Sequence, residues 1–152
     1  RQRQMCIRDR AAIDELVRLA QSKKRINSTS TLADRAHSHL EVARAEATLR
    51  SARAFYYQTI EEAWLVAEAG ERVSIEQRRD IRLATTHAVE ASIKTVNAMY
   101  TLGGGSAVYA DSPLQRHLRD VHMTSQHIMV APSTLETVGR LYLGVDAQTS
   151  TL

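Results

Sequence analysis

Three consecutive glycines open the stretch of this sequence whose residue types best suit chemistry. Residues 102–127 read LGGGSAVYADSPLQRHLRDVHMTSQH, with Gly103, Gly104 and Gly105 just ahead of a helix-start signal. Bare backbone amides beside a helix N-terminus can approach phosphate groups closely. A plain turn between two helices uses glycine in the same way. The residues alone therefore leave a binding turn and a simple connection both open.

Three histidines follow the glycines at intervals of five residues. His117, His122 and His127 step by about 500° around a helix, so one helix cannot aim all three at one metal ion. Metal sites need converging ligands, and no metal site is expected. An imidazole that titrates near neutral pH suits proton transfer. A single histidine on a bundle helix is nevertheless more often a packed or solvated residue.

A small charged cluster lies between the glycines and the last histidine. Arg116, Arg119 and Asp120 are spaced i, i+3 and i+4, which places them on one face of a helix. Exposed pairs of this kind contribute only a few tenths of a kcal/mol each. The spacing alone indicates an ordinary surface ion-pair cluster, to which we assign no catalysis.

Helices must position these residues, because the chain is rich in alanine, poor in aromatics and has only two prolines. Apolar residues recur at the three- and four-residue steps of buried helix faces. The pattern predicts an all-α fold, an up-and-down helical bundle of four to five helices without a strand. The predicted helices cover residues 11–22, about 32–69, 74–102, 113–130 and 133–143.

Capping signals mark the ends of these helices. The expected C-caps are glycines, and the expected N-caps are hydroxyl residues. Ser74 and Ser133 each begin a capping box, with Gln or Glu three residues later, and Ser112 precedes a proline at a first helical position. The third helix has two apolar stripes, which predicts that it is packed between neighbours. In chain order the expected caps are Gly70, Ser74, Ser112, Ser133 and Gly144.

The charge of the chain does not favour a nucleic-acid partner. The formal net charge is +3, but residues 1–10 hold four arginines and one aspartate and account for all of it. The other sixteen basic and sixteen acidic residues balance. A nucleic-acid surface needs a sustained basic face, so no such partner is expected.

The first ten residues, RQRQMCIRDR, resemble a translated sequencing-adapter read and are interpreted as a non-native leader. An ordinary basic start to the first helix is the alternative. A foreign leader would also remove the only cysteine, Cys6, and its thiol chemistry. The expected organisation is a leader at 1–10, a helical-bundle domain at 11–146 and a frayed tail at 147–152, as the end of a longer protein. No apolar run reaches the roughly 18 residues of a membrane span, and a cytoplasmic location is expected.

The order of motifs from residue 103 onward resembles one family. Gly-Gly-Gly-Ser-Ala-x-Tyr at 103–109, Ser-Pro-Leu-Gln-Arg-x-x-Arg-Asp at 112–120 and Gln-His at 126–127 look like the C-terminal domain of flavin-dependent monooxygenases with the acyl-CoA dehydrogenase fold. That family includes the oxygenase components of two-component aromatic hydroxylases and the dibenzothiophene monooxygenases. The resemblance covers nearly the whole chain and is most specific between residues 103 and 120.

The resemblance implies a cofactor and a place for it. In that family the glycine turn lies against the flavin, which here would be reduced FMN or FAD. The flavin contacts carried over by position are Gly103, Gly104, Gly105, Ser106 and Ala107.

The resemblance also implies a catalytic residue. His127, eight residues after Arg119, matches the family's active-site histidine, which would take or stabilise a proton while a small aromatic or heteroaromatic substrate is oxygenated. A separate flavin reductase would supply the reduced flavin, and the intact enzyme would be a homotetramer. The present chain alone is expected to be inactive, because the domains that complete the site would be missing.

The dehydrogenase branch of the same fold is the alternative. Many acyl-CoA dehydrogenases carry a catalytic glutamate shortly after the Arg-Asp motif, but residues 121–135 here read VHMTSQHIMVAPSTL, without an acid. Those enzymes also commonly carry Gln where this chain has Tyr100. The residues favour the oxygenase branch, while an FAD oxidoreductase with its base on another helix stays open. A third, non-enzymatic alternative is a helical oligomerisation module.

Overall fold

A computed structural model describes residues 2–24, 29–150 and 152, with side chains from residue 9 onward. Five α-helices and three 3₁₀ turns occur in this part of the chain, and no strand is present in it. The predicted all-α bundle is therefore confirmed. The helices are α1 (Gln2–Ser22), α2 (Ala36–Glu68), α3 (Ile75–Gly103), α4 (Pro113–Ser125) and α5 (Pro132–Tyr142), and the 3₁₀ turns are Leu32–Asp34, Gly104–Ala107 and Ile128–Val130.

Helix α3 is the centre of the bundle, since it packs against each of the other four helices. Its two apolar stripes explain this position, because a helix that is apolar on two sides must be covered on both. The prediction that α3 lies between neighbours is confirmed. Its buried positions include Ala84, Ala88, Val89, Ala91, Thr95, Val96 and Met99.

Small residues let α2 approach α3 closely. Ala45, Ala52 and Ala63, together with the larger Leu49, recur on one face of α2 and are buried, as the sequence pattern predicts. The outer face of α2 is different, because Tyr57, Ile60 and Trp64 are exposed there, Trp64 by 67%.

No helix in the described residues is long and apolar enough to cross a membrane.

Helix α1 docks on α3 through apolar residues and one buried carboxyl group. Asp9 is 1% exposed, and its Oδ2 lies 2.6 Å from the Ser92 hydroxyl oxygen. That hydroxyl is also 2.7 Å from the Ala88 carbonyl oxygen, and its single hydrogen cannot serve both acceptors. Burial raises the pKa of Asp9 to about 6. A protonated Asp9 satisfies the arrangement, because it donates to Ser92, which then donates to Ala88.

Several predicted helix ends are confirmed. Ser74 and Gln77 form the expected capping box, in which the Ser74 hydroxyl accepts from the Gln77 N–H at 3.2 Å and the Gln77 side chain accepts from the Ser74 N–H at 3.0 Å. Gly70 and Gly144 follow α2 and α5 with φ of 77° and 67°, the left-handed conformation that favours glycine at a C-cap.

The first two helices begin elsewhere than predicted. Helix α1 starts at Gln2 rather than Ala11, and whether residues 1–10 are native stays a prediction. The second predicted helix, from Leu32, starts only at Ala36 after a 3₁₀ turn. The Asp34 carboxylate accepts from the Thr31 N–H at 2.6 Å and from its hydroxyl at 2.8 Å, which holds this tighter turn apart from α2.

The predicted end of α4 and the predicted start of α5 are wrong. Helix α4 stops at Ser125 rather than Val130, where the Ser125 hydroxyl donates to the His122 carbonyl oxygen at 2.7 Å and competes with the helical ladder. The capping box predicted at Ser133 does not open α5. Pro132 occupies the first helical position after Ala131 as N-cap, because its fixed φ suits that position.

Candidate functional site

The glycine turn begins where the end of α3 packs against α4. A Cβ atom added to Gly103 would lie 2.8 Å from Leu114 Cδ1 and 3.0 Å from the Ala107 Cβ. Leu114 and Ala107 are both fully buried, so neither side chain can move aside without disturbing the core. Gly103 is therefore required by packing, and it is itself buried.

A lysine directly after the end of α1 contacts the turn from the other side. The Lys23 ammonium donates to the Gly103 carbonyl oxygen, which places a cation at the C-terminal end of α3, where the helix dipole favours it. Burial, and secondly the Arg35 charge, lower the pKa of Lys23. The sequence analysis missed Lys23, since nothing in the spacing links it to a glycine 80 residues later.

The remaining residues of the turn face different environments. Gly104 has φ of 50°, which disfavours a side chain there. Gly105 is exposed, and a Cβ there would meet nothing within 4 Å. Ser106 is half-buried, whereas the Ala107 side chain is fully buried. The surface open to a ligand thus consists of Gly104, Gly105 and part of Ser106.

His127 lies outside a helix, on the connector between α4 and α5, which we define as residues 126–131. The imidazole is exposed, and its Nδ1 accepts from the Met129 N–H at 3.2 Å. A neutral imidazole that accepts at Nδ1 carries its hydrogen on Nε2. His127 therefore presents an Nε2–H donor to whatever lies outside this chain.

The other candidate side chains of α4 do not join His127. The His122 Nε2 pairs with the Asn97 Oδ1 at 3.1 Å, and His117 is half-buried within the bundle. Arg116 and Arg119 are exposed, as expected of a surface cluster. Among the described residues, no group of three His, Cys, Asp or Glu converges as metal ligands would.

The glycine turn and His127 stand at opposite ends of α4. This helix has 13 residues and at 1.5 Å per residue spans about 20 Å. The two elements therefore cannot touch the same small ring from within one copy of the chain.

Comparison with known proteins defines the family. The family described as "Acyl-CoA dehydrogenase, C-terminal domain" matches residues 9–132, and this chain belongs to it. The indole-3-acetate monooxygenase of Pseudomonas putida is 36% identical over 135 residues, which are 89% of this chain and 35% of that protein. The pigment production hydroxylase of Rhodococcus erythropolis is 32% identical over 82% of the chain. The chain spans about a third of the length of these relatives.

Solved structures agree with this fold. The 3-HSA hydroxylase of Rhodococcus sp. RHA1 matches 97% of the chain with a TM-score of 0.85 and 19% identity, over 37% of its own length. XiaF from Streptomyces sp., solved with FADH2 and glycerol, matches 93% of the chain with a TM-score of 0.85 and 19% identity, over 36% of its length. The bundle is thus the same architecture as one part of these larger proteins.

Proposed function

We propose that this chain is the C-terminal domain of a flavin-dependent monooxygenase, the oxygenase component that acts on a small aromatic or heteroaromatic substrate. The support is the identity of 36% and 32% to a monooxygenase and a hydroxylase along most of the chain. A flavin, when bound in reduced form, supplies the two electrons with which O2 yields one oxygen atom for the substrate and one for water.

One observation in the structure carries the proposal. His127, in the connector after α4, has an exposed imidazole whose Nδ1 already accepts a hydrogen bond from the Met129 N–H. Residues 121–135 hold no carboxylate that could act as a base. Taking a proton next to a thioester would need such a base. Holding or giving a proton at Nε2 needs only the imidazole of His127.

The residues of the glycine turn fit a flavin in a limited way. The open space above Gly105 leaves room for a flat or phosphorylated group to approach the backbone. The Lys23 ammonium beside the turn suits the negative charge of a flavin nucleotide. Both FMN and FAD carry such a phosphate, and a Gly103 to Ala107 contact would serve either of them. At the open surface these contacts would be made by the exposed backbone of Gly104 and Gly105 and by the Ser106 hydroxyl.

The proposed partners follow from what this chain leaves uncovered. The exposed side chains of Tyr57, Ile60 and Trp64 lie along one face of α2, where apolar area of this kind marks an interface. The remainder of the intact protein and further copies in a homotetramer would cover such faces. A separate reductase would supply reduced flavin, and a cytoplasmic location of the intact enzyme is part of the proposal.

The test uses the intact protein with reduced flavin, O2 carrying an ¹⁸O label, and a panel of aromatic acids and phenols. The expected result is one labelled oxygen atom in the product, and a His127→Ala variant should lower product formation by about tenfold or more. His122→Ala is the matched control, because His122 is also exposed but pairs with Asn97. If the protein instead holds tightly bound FAD whose absorbance an acyl-CoA bleaches, and no labelled product forms, the dehydrogenase alternative is established.

A further inference from the structure

The connector that carries His127 has little packing of its own. His127, Ile128 and Met129 are all exposed, so the apolar core does not fix their positions. An exposed segment of this kind takes its conformation from a few specific hydrogen bonds. The contacts that the connector makes with the bundle therefore decide where the imidazole stands.

The first of these contacts comes from a buried arginine of α3. Arg82 is only 8% exposed, although a guanidinium is rarely buried without a reason. Its Nη1 donates to the Met129 carbonyl oxygen at 2.8 Å. The bond joins residues 47 positions apart in sequence and ties the middle of the connector to the centre of the bundle.

Met129 passes this constraint to the imidazole. The carbonyl group of Met129 is held by Arg82, and its N–H donates to the His127 Nδ1 at 3.2 Å. The direction of the N–H follows the backbone that Arg82 fixes. The Met129 backbone thus sets the orientation of the His127 ring, and it makes Nδ1 the ring nitrogen that accepts a hydrogen bond.

A second contact lies one helical turn further along α3. Thr86 is 1% exposed, and its hydroxyl pairs with the Thr134 hydroxyl at 2.9 Å. The Thr134 hydroxyl also lies 2.7 Å from the Ala131 carbonyl oxygen, at the last residue of the connector. Arg82 and Thr86 share one face of α3, so this face holds the connector at its middle and at its end.

We propose that Arg82 is a positioning residue for His127, with Thr86 as a second and weaker anchor. Through the Met129 backbone, Arg82 keeps the imidazole at its place and keeps Nε2–H directed outward. The inference rests on the proposed role of His127 in oxygenation. It adds a residue that neither touches the reacting atoms nor belongs to the motif that carries the family resemblance.

The kinetic test compares variants in the intact enzyme. Arg82→Gln should lower kcat per folded enzyme by about tenfold, with the substrate KM and the affinity for reduced flavin within about twofold of the parent. Arg82→Lys should recover much of the rate, because an ammonium can still donate to the Met129 carbonyl oxygen. Arg78→Gln is the matched control, since Arg78 lies one turn earlier on α3. The kcat of this variant should stay within about twofold of the parent.

A double-mutant cycle separates positioning from general damage. If Arg82 acts through His127, Arg82→Gln should add nothing to the loss in a His127→Ala background. Thr86→Val, a nearly isosteric change, should show a smaller loss with the same lack of additivity, and it keeps the test decisive if Arg82→Gln does not fold. Additive losses, or a kcat for Arg82→Gln within about twofold of the parent, would overturn the inference.

A spectroscopic test on the present chain needs no activity. At alkaline pH the ¹⁵N shifts of His127 should show hydrogen on Nε2 in the parent and a mixture of tautomers in Arg82→Gln, with Arg78→Gln unchanged. Unchanged ring nitrogen shifts in Arg82→Gln would also overturn the inference. If His127→Ala oxygenates normally, the proposed function of His127 fails instead, whatever the tautomers show.

Discussion

The glycine turn and the connector form the two halves of the candidate site, and the fold holds them in different ways. The turn is built into the core, because Gly103 packs against the buried Leu114 and Ala107. The connector is exposed and depends on the Arg82 and Thr86 side chains. Close packing around the Gly103 backbone fixes the turn. Hydrogen bonds from side chains that are distant in sequence fix the connector.

Because of this difference, we expect changes at the two ends of α4 to affect different properties of the protein. A change in the turn disturbs packing between α3 and α4 before it can affect a ligand. A change in the connector removes little buried area, so it can alter the imidazole while the bundle stays folded. The first half of the site should therefore be sensitive in stability, and the second in function.

The largest expected effect is at Gly103. A Gly103→Val variant would set new atoms against Leu114 Cδ1 and the Ala107 Cβ, which a Cβ alone would approach to 2.8 and 3.0 Å. Overpacking of this kind should lower the free energy of unfolding by about 2–3 kcal/mol, measured by chemical denaturation followed by circular dichroism. His127→Ala should change it by less than about 0.5 kcal/mol. Equal losses at the two positions would contradict the comparison.

The next effect concerns Asp9, where α1 docks on α3. The folded pKa of Asp9 is about 6 against an ordinary 3.8, so folding favours the protonated form. Its contribution to stability is complete below pH 3.8 and is lost as pH rises through about 6. The loss should be about 2–3 kcal/mol.

Comparison with an Asp9→Asn variant isolates this term. The burial that lowers the stability of charged Asp9 does not act on Asn, so the parent should lose stability relative to the variant between pH 4 and pH 7. Denaturation curves of both proteins across that range measure the difference. Carboxylates whose pKa is lowered by their partners, such as Asp80 beside Arg79, act oppositely and cancel in the comparison. A constant difference would show that Asp9 is charged when folded.

The sequence predicted the bundle better than the site, and particular residues show why. Capping at Ser74 and the two-sided burial of α3 depend on residues within one or two helical turns, so local pattern suffices. The Lys23 bond to Gly103 joins residues 80 apart, and the Arg82 bond to Met129 joins residues 47 apart. No local pattern encodes such pairs.

His127 was found through family resemblance, and its surroundings were described wrongly. The apolar run Ile128, Met129 and Val130 reads as helix, and the prediction continued α4 through it. The structure shows a 3₁₀ turn there, with the imidazole accepting from a nearby N–H. Side chains that compete for backbone groups decided this end, and apolar periodicity carries no information about them.

The smallest effect sharpens the comparison between the two halves. Lys23→Met removes the cation that donates to the Gly103 carbonyl oxygen and should cost about 1 kcal/mol of stability, since Lys23 is only partly buried. Lys24→Met is the matched control, because Lys24 is exposed and should be neutral. Chemical denaturation measures both variants.

Hydrogen exchange tells which half each anchor holds. Lys23→Met should speed exchange of amides in the turn at 103–107 and leave the connector at 126–131 unchanged, because α1 contributes no anchor to the connector in the described residues. Arg82→Gln should do the reverse. If either variant loosened both segments alike, α4 would transmit the disturbance along its length, and the two halves would be one cooperative unit rather than separately held parts.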